Sequence, residues 1–214
     1  MSDWSGYYQT RYQFDPNRGE IWRPICAWLQ REIPADATVL ELGAGYCDFI
    51  NSIRAARKLA VDVSETVRQA GAAEVEAHVG SCTRLGFVED SSVDVVFASN
   101  LFEHLERAVL AETLREALRV LKPGGKLLVL QPNFRYCYRE YFDDYTHVNV
   151  FTDMSLPDLL AASGFQISRV IPRFLPFSMK SGLPARPWLV AAYLRSPWKP
   201  RAGQMLIVAR KPET

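Results

Sequence analysis

The sequence lacks the features of secreted, membrane-spanning and disulfide-stapled proteins. Residues 1–20 contain no basic segment followed by an apolar stretch, as a secretory leader would. No window approaches the roughly 18 consecutive apolar residues that a membrane-spanning helix needs. The four cysteines lie 21, 35 and 55 residues apart, which gives no CxxC pair for zinc and no dense disulfide framework. We therefore expect a cytoplasmic protein without a metal site.

Acidic residues are scarce in the last quarter of the chain. The 214 residues carry a net charge of +1, but residues 166–214, the basic tail, hold nine Lys and Arg against one acid. Residues 1–165 hold 16 Lys and Arg against 23 acids. Aromatic residues stand among the cations of the tail: Phe174, Phe177, Trp188, Tyr193 and Trp198. Such a tail fits an anionic acceptor or peripheral contact with an anionic membrane, or it packs on the acidic body of the same molecule. We expect no nucleic-acid partner, and the sequence leaves the oligomeric state open.

Short apolar runs alternate with amphipathic helices along the chain. Strands are predicted at residues 38–42, 58–63, 76–79, 93–99, 125–131, 165–171 and 204–210. Helices are predicted at residues 20–33, 48–56, 64–71, 108–121 and 155–163. At 48% hydrophobic residues the chain can fill a sizeable core. This pattern predicts one α/β domain with a doubly wound, seven-stranded, mostly parallel sheet.

Two long stretches, residues 131–152 and 172–203, do not follow this alternation. Long irregular segments usually serve as lids or binding loops, and ligands of open α/β sheets bind beyond the carboxyl ends of the strands. The predicted single domain, 1–214, is therefore divided into an N-terminal arm and helix (1–35), a cofactor-binding core (36–132) and two acceptor-side lids. The lids are residues 133–157 and 172–203. The aromatic and cationic arm either closes over the cofactor or packs on the sheet edge, and the sequence leaves both open.

A glycine loop follows the first predicted strand. Gly43 and Gly45 flank Ala44 where the strand turns into a helix, so backbone N–H groups can approach a ligand closely. Nineteen residues after Gly43, Asp62 ends the second strand, where a carboxylate can accept hydrogen bonds from ribose hydroxyls. A dinucleotide fingerprint would need a third glycine where Asp48 stands. S-adenosylmethionine has no phosphate to repel that acid, and Glu41 suits its ammonium and sulfonium groups.

With these residues the chain resembles the class I S-adenosylmethionine-dependent methyltransferases, which have a Rossmann-like fold. The segment 98–105, ending in Glu-His-Leu, and the segment 118–125, Leu-Arg-Val-Leu-Lys-Pro-Gly-Gly, are similar to stretches of that family. The resemblance implies that Asp62 binds ribose and Val63 touches adenine, that Ser81 replaces an adenine-binding acid and that the Cys82 N–H serves adenine. Cys47 replaces the family's third glycine. The implied cofactor-binding set is Glu41, Gly43, Ala44, Gly45, Asp62, Val63, Ser81, Cys82 and Asn100.

Histidine is the candidate proton acceptor, because its pKa lies nearest neutrality. His78 is expected to be structural. His104, just beyond the fourth strand, and His147, after the fifth, are the predicted catalytic residues, with Asp143 or Asp144 orienting His147. The leading function is O-methylation of a small molecule or of a glycan or lipid-linked acceptor, possibly an anionic one. The alternatives are a nicotinamide-dependent oxidoreductase and a cofactor-binding protein without turnover.

Overall fold

A computed structural model describes residues 5–176 and 186–213 of the chain. Phe177 and Lys180 of the basic tail, and residues 177–185 of the second predicted lid, lie outside the described residues.

Seven strands form one sheet in the order β3-β2-β1-β4-β5-β7-β6. The strands are β1 Thr38–Leu42, β2 Arg57–Asp62, β3 Val75–Val79, β4 Val93–Ser99, β5 Leu121–Pro132, β6 Gln166–Pro176 and β7 Ala202–Arg210. The pairs among β1 to β5 are parallel, and β7 runs antiparallel to both β5 and β6. The predicted doubly wound, mostly parallel sheet is confirmed.

Helices cover both faces of this sheet. The described helices are α1 Ser5–Thr10, α2 Arg18–Leu29, α3 Asp48–Ser52, α4 Thr66–Ala70, α5 Arg107–Val120, α6 Phe134–Cys137, α7 Ser155–Ala162 and α8 Pro187–Arg195. Short 3₁₀ turns lie at Phe102–His104 and Tyr141–Asp143. Alternate residues of each strand point to opposite faces, so Leu40 packs with α5 and α7 while Val39 packs with α2 and α3. Two buried apolar layers therefore hold the sheet between the helices.

Several predicted segments differ from the structure in their bounds or their conformation. The helix expected over 48–56 ends at Ser52, because Ile53 is extended, with φ −89° and ψ 160°. Residues 131–152 contain α6 and a 3₁₀ turn, which are too short to give a periodic apolar pattern. Residues 172–203 were expected to be irregular, yet β6 continues to Pro176, α8 occupies Pro187–Arg195 and β7 begins at Ala202. Pro187 begins α8, at a position where the missing N–H of proline costs nothing.

Candidate functional site at the carboxyl edge of the sheet

The two glycines of the loop lie where the backbone conformation and the neighbouring side chains leave no room for a Cβ. Gly43 and Gly45 have φ angles of +65° and +51°, in the left-handed region that favours glycine. A Cβ added at Gly43 would lie 2.8 Å from the Leu101 side chain, and one added at Gly45 would lie 2.7 Å from the Tyr12 ring. The N–H groups of Gly43 and Ala44 both donate to the Val61 carbonyl, which ties the loop to β2. Glycine is therefore required twice here, for the left-handed backbone and for the close packing of Leu101 and Tyr12 on the turn.

Cys47 lies where the methyltransferase family has its third glycine. Its φ is 58°, so the backbone is left-handed here although the residue has a Cβ, which makes this conformation strained. The side chain is fully buried, and burial raises the pKa of its thiol to about 12. Cys47 is therefore a packing residue with a protonated thiol, held in a conformation that costs L-residues free energy.

Asp62 lies beside the glycine loop, at the end of β2. Its Oδ2 accepts a hydrogen bond from the Gly45 N–H at 2.9 Å, and its Oδ1 accepts one from the Ser64 N–H at 2.9 Å. The side chain is buried, and Val63, the next residue, is half exposed. The carboxylate and the apolar side chain after it thus border the loop, and their contacts with ribose and adenine stay predictions.

Glu41 reaches the start of α3 from within β1. Its Oε2 accepts a hydrogen bond from the Ile50 N–H at 3.1 Å, and the residue is buried. Burial raises the pKa of this carboxyl well above its ordinary value, with Asp48 and Asp62 adding to the shift. A cationic ligand group nearby would restore the charged form, because an opposite charge favours it.

The remaining predicted cofactor residues follow β3 and β4. Ser81 Oγ bonds Thr83 Oγ1 at 2.8 Å, and Cys82 Sγ turns inward to Thr113 Oγ1 at 3.2 Å, so only the Cys82 backbone is available to a ligand. Asn100 has a φ of 47° directly after β4, and its Oδ1 accepts a bond from Gln204 Nε2. Their contact with a cofactor stays a prediction.

Asp48, which stands where a dinucleotide-binding loop has glycine, is engaged by the protein itself. Arg18 Nε donates to Asp48 Oδ2 at 2.8 Å, and both side chains are largely buried. Burial raises the pKa of Asp48, although the guanidinium opposes the shift. Arg18 balances the charge of Asp48, so the remaining obstacle to a nicotinamide cofactor is that a side chain stands where a dinucleotide-binding loop has glycine.

The two predicted catalytic histidines lie next to each other, and Glu103 lies close to both. The ring centroids of His104 and His147 are 4.9 Å apart, and one donor atom from each of Glu103, His104 and His147 lies within 4.8 Å of one from each of the others. The loop carrying His147 is fixed here because the Glu103 carbonyl accepts bonds from the N–H groups of Val148 and Asn149. We name these three residues the Glu-His-His cluster. His78 lies elsewhere, on β3, stacked on Phe87.

Burial dominates the electrostatics of the Glu-His-His cluster. Glu103 is 1% exposed, and burial raises the pKa of its carboxyl to about 7. Burial also lowers the pKa of both His104 and His147, against the pull of nearby acids. The predicted site did not include Glu103, and its only sequence signal was its place beside His104 in the Glu-His-Leu segment.

The expectation that Asp143 or Asp144 orients His147 is wrong. His147 Nδ1 bonds the Tyr141 carbonyl oxygen at 2.6 Å, because the 3₁₀ turn places that carbonyl over the ring. Asp144 instead accepts a bond from Thr146 Oγ1 at 2.6 Å, and Thr146 Oγ1 lies 2.8 Å from His104 Nδ1. Asp144 therefore acts on His104, through Thr146.

The N-terminal arm lies across this edge of the sheet. Tyr12 covers Gly45 and packs against Tyr46, with ring centroids 5.2 Å apart. Tyr7 meets the His104 ring edge-on at 5.4 Å, and Arg11 Nε lies 3.4 Å from Asp144 Oδ2. The sequence left open whether the arm closes over the cofactor or packs on the sheet edge. In the structure the arm spans from the glycine loop to the Glu-His-His cluster, along the edge where the cofactor is expected.

The described part of the basic tail is both packed and exposed. Leu194 of α8 is buried against α2, and Arg169 of β6 lies 3.6 Å from Glu32, so part of the tail does contact the body. Trp188 and Trp198 are 68% and 76% exposed. Within residues 5–176 and 186–213, no helix combines the length and the apolar character that crossing a membrane requires.

Comparison with known proteins gives one family. Residues 40–129 match the family model described as a methyltransferase domain. The chain is 33% identical over 133 residues to malonyl-[acyl-carrier protein] O-methyltransferase 1 of Coxiella burnetii, an alignment that covers 59% of this chain and 46% of that protein. It is 30% identical over 137 residues to an uncharacterized methyltransferase of Schizosaccharomyces pombe, covering 60% of this chain and 50% of that protein. The chain thus spans about half the length of the curated relatives it matches.

Solved structures share the fold. A chain from the complex between the Haloferax volcanii Trm112 methyltransferase activator and a methyltransferase superposes with a TM-score of 0.69 at 18% identity, covering 92% of both chains. A SAM-dependent methyltransferase of Archaeoglobus fulgidus superposes with a TM-score of 0.64 at 19% identity, covering 87% of this chain and 93% of that one. The predicted Rossmann-like fold is confirmed, and residues 40–129 of the chain match the methyltransferase domain family, in agreement with the predicted S-adenosylmethionine-dependent family and cofactor.

Proposed function

We propose that the protein transfers a methyl group from S-adenosylmethionine to an oxygen atom of a small molecule or of a glycan or lipid-linked acceptor. One observation carries the proposal. The Gly45 N–H and the Asp62 carboxylate meet at 2.9 Å on a turn with no room for side chains, at the same edge of the sheet as a pair of histidines. A donor site and a group able to handle a proton thus lie on the same edge of the sheet.

The donor is proposed to lie along the carboxyl ends of β1, β2 and β4. The backbone of Gly43, Ala44 and Gly45 approaches it, Asp62 binds the ribose and Val63 contacts adenine. Glu41 and the loops after β3 and β4 complete the set, with Ser81, Cys82 and Asn100. The N-terminal arm, through Tyr12, excludes water from this region, which favours in-line transfer between aligned groups.

S-adenosylmethionine supplies a methyl group that its sulfonium already activates, so the chain has to align the acceptor and manage one proton. When bound, S-adenosylmethionine would give its methyl group to the acceptor oxygen, and the electron pair of the broken C–S bond would stay on sulfur. The hydroxyl proton must leave. His147 Nδ1 donates to the Tyr141 carbonyl, so the neutral ring carries its lone pair on Nε2, which supports the predicted role of His147 as a general base.

The proposed acceptor is apolar at one end and anionic at the other. Aromatic side chains of the lid at residues 133–157 are exposed: Tyr138, Phe142 and Tyr145. Exposed apolar surface beside a site is typical of a binding face. Arginines stand near it, including Arg173, which lies over the Tyr136 ring at 4.8 Å. Transfer to oxygen is further supported by the relative from Coxiella burnetii, whose name is that of an O-methyltransferase.

Turnover with a panel of hydroxyl acceptors, neutral and phosphorylated, tests this function. Formation of S-adenosylhomocysteine should depend on the acceptor and should be faster with anionic acceptors at low ionic strength. If the protein binds S-adenosylhomocysteine yet turns over no acceptor, the alternative of a binding protein without turnover is favoured instead.

We also propose that the basic tail contacts anionic membrane surfaces. Trp188 and Trp198 are exposed aromatic side chains suited to a membrane interface, and Arg186 and Arg195 flank α8 with positive charge. The chain should sediment with vesicles containing phosphatidylglycerol and should not sediment with phosphatidylcholine alone. Replacing both tryptophans by serine should weaken sedimentation several-fold. Equal recovery from both kinds of vesicle would contradict this contact.

A further inference from the structure

The Glu-His-His cluster has the donor set of a transition-metal site. Two imidazoles and one carboxylate are ligands that zinc, iron and cobalt ions accept. His104 Nε2 lies 3.9 Å from Glu103 Oε1, and donor atoms of all three residues lie within 4.8 Å of one another. Bonds of about 2.1 Å hold tetrahedral ligand atoms about 3.4 Å apart, so the three side chains need to draw together by on the order of 1 Å.

Hydrogen bonding determines which ring nitrogen of each histidine in the Glu-His-His cluster carries the proton. A carbonyl oxygen only accepts, so His147 Nδ1 donates to the Tyr141 carbonyl. Thr146 Oγ1 donates its proton to Asp144, so His104 Nδ1 donates to Thr146 Oγ1. In the neutral rings both lone pairs are then on Nε2. Two imidazoles that each carry a lone pair and one carboxylate thus belong to the same cluster, which is a donor set that a cation stabilises.

Gln131 adds a further acceptor next to Glu103. Its Nε2 donates to Glu103 Oε2 at 2.8 Å, which fixes the carboxylate and leaves Oε1 toward His104. Among the described residues Gln131 Oε1 has no hydrogen-bond partner, although Gln131 is 1% exposed. Burying an acceptor without a partner is costly, so this oxygen favours a further polar or cationic group at the cluster.

The partners of the two imidazoles are those that metal-binding histidines use. Such histidines donate their other N–H to a backbone carbonyl, a carboxylate or a bridging group, which fixes the ring orientation. The Tyr141 carbonyl does this for His147, and Asp144 acts on His104 through Thr146. The orientation of both rings is thus fixed before any ion binds.

We propose that Glu103, His104 and His147 bind one divalent transition-metal ion, of the zinc or cobalt type, through the carboxylate and the two Nε2 atoms. The proposal replaces the sequence-based expectation of no metal site, which rested on the absence of a CxxC pair. The proposal deepens the proposed function, and the role of the ion rests on that function. An acceptor hydroxyl bound to such an ion loses its proton to solvent more readily. His147 is the proposed base in the metal-free protein, and when an ion is bound the same nitrogen is a ligand and the ion activates the hydroxyl in its place.

Cobalt binding to the full chain tests the site without relying on activity. The chelator-treated protein is titrated with Co²⁺ while visible absorption is recorded, and Zn²⁺ is then added as a competitor. We expect one Co²⁺ per chain and displacement by Zn²⁺. His147→Ala and Glu103→Gln should each weaken binding at least 10-fold, since even loss of a residue that orients a ligand costs about 10- to 100-fold. His78→Ala is the matched control and should bind like the wild type.

Two results would overturn the proposal. One is no saturable Co²⁺ or Zn²⁺ binding at micromolar concentrations, and the other is binding that both cluster variants retain. Each variant is checked by thermal unfolding, and His147→Gln replaces the alanine variant if that variant does not fold. S-adenosylhomocysteine is titrated separately, without metal. Binding of S-adenosylhomocysteine without metal binding rejects only the metal site, whereas failure to bind S-adenosylhomocysteine rejects the proposed function.

Discussion

Replacing Gly45 by alanine separates two reasons for having a glycine in the loop. An L-residue at φ +51° costs roughly 1 to 2 kcal/mol. The new Cβ would also lie 2.7 Å from Tyr12, and relieving such overpacking costs about 1 to 3 kcal/mol. We therefore expect Gly45→Ala to lower the free energy of unfolding by about 2 to 5 kcal/mol and to weaken S-adenosylhomocysteine binding, because the turn and the arm both shift.

Chemical denaturation and calorimetric titration measure the two effects. In the double variant Tyr12→Ala/Gly45→Ala the contact is absent but the backbone strain remains, so the Gly45 substitution should cost only about 1 to 2 kcal/mol when made in Tyr12→Ala. Gly86→Ala is the control, since a Cβ there would meet no heavy atom within 4 Å. Gly45→Ala with wild-type stability and wild-type affinity for S-adenosylhomocysteine would refute the reasoning.

Three further substitutions test other contacts. Asp62→Ala should weaken S-adenosylhomocysteine binding by roughly 1 to 3 kcal/mol, the scale of hydrogen bonds to a charged group, whereas the exposed Asp36→Ala should not change the titration. His147→Ala should lower the turnover rate about 10²- to 10⁴-fold with donor affinity kept, and a loss under about threefold would argue against its role. Glu116→Gln should destabilise the fold by about 1 to 2 kcal/mol at pH 7, because hydrogen bonds from Arg119 hold the Glu116 pKa below its ordinary value. That stability is complete above the ordinary glutamate range and is lost as pH falls through the lowered pKa, so urea denaturation at pH 3 should show a smaller difference.

The fold was largely predictable because its signals are local. Each strand of the sheet carries its own apolar run, and the predicted β4, Val93–Ser99, matches the observed bounds. A buried parallel strand needs such a run because both of its faces are covered. The glycine loop was predictable for the same reason. Gly43 and Gly45 directly follow the apolar run of β1, and Asp62 ends that of β2, so their places depend only on neighbouring residues.

The Glu-His-His cluster was predictable only in part. His104 and His147 were chosen by residue type, but their proximity depends on the bonds from Val148 and Asn149 to the Glu103 carbonyl. Such long-range backbone pairing leaves no periodic signal in the sequence. The partner of His147 was mistaken for the same reason, since a carbonyl is present at every residue and only the 3₁₀ turn selects that of Tyr141.

Calorimetric titration of the wild-type chain with S-adenosylhomocysteine and with NAD tests the donor site most directly. The glycine loop with Asp62 predicts saturable binding of one S-adenosylhomocysteine per chain, and the Asp48 side chain at the start of α3 predicts no measurable heat with NAD. Saturable binding of NAD with no response to S-adenosylhomocysteine would contradict the account.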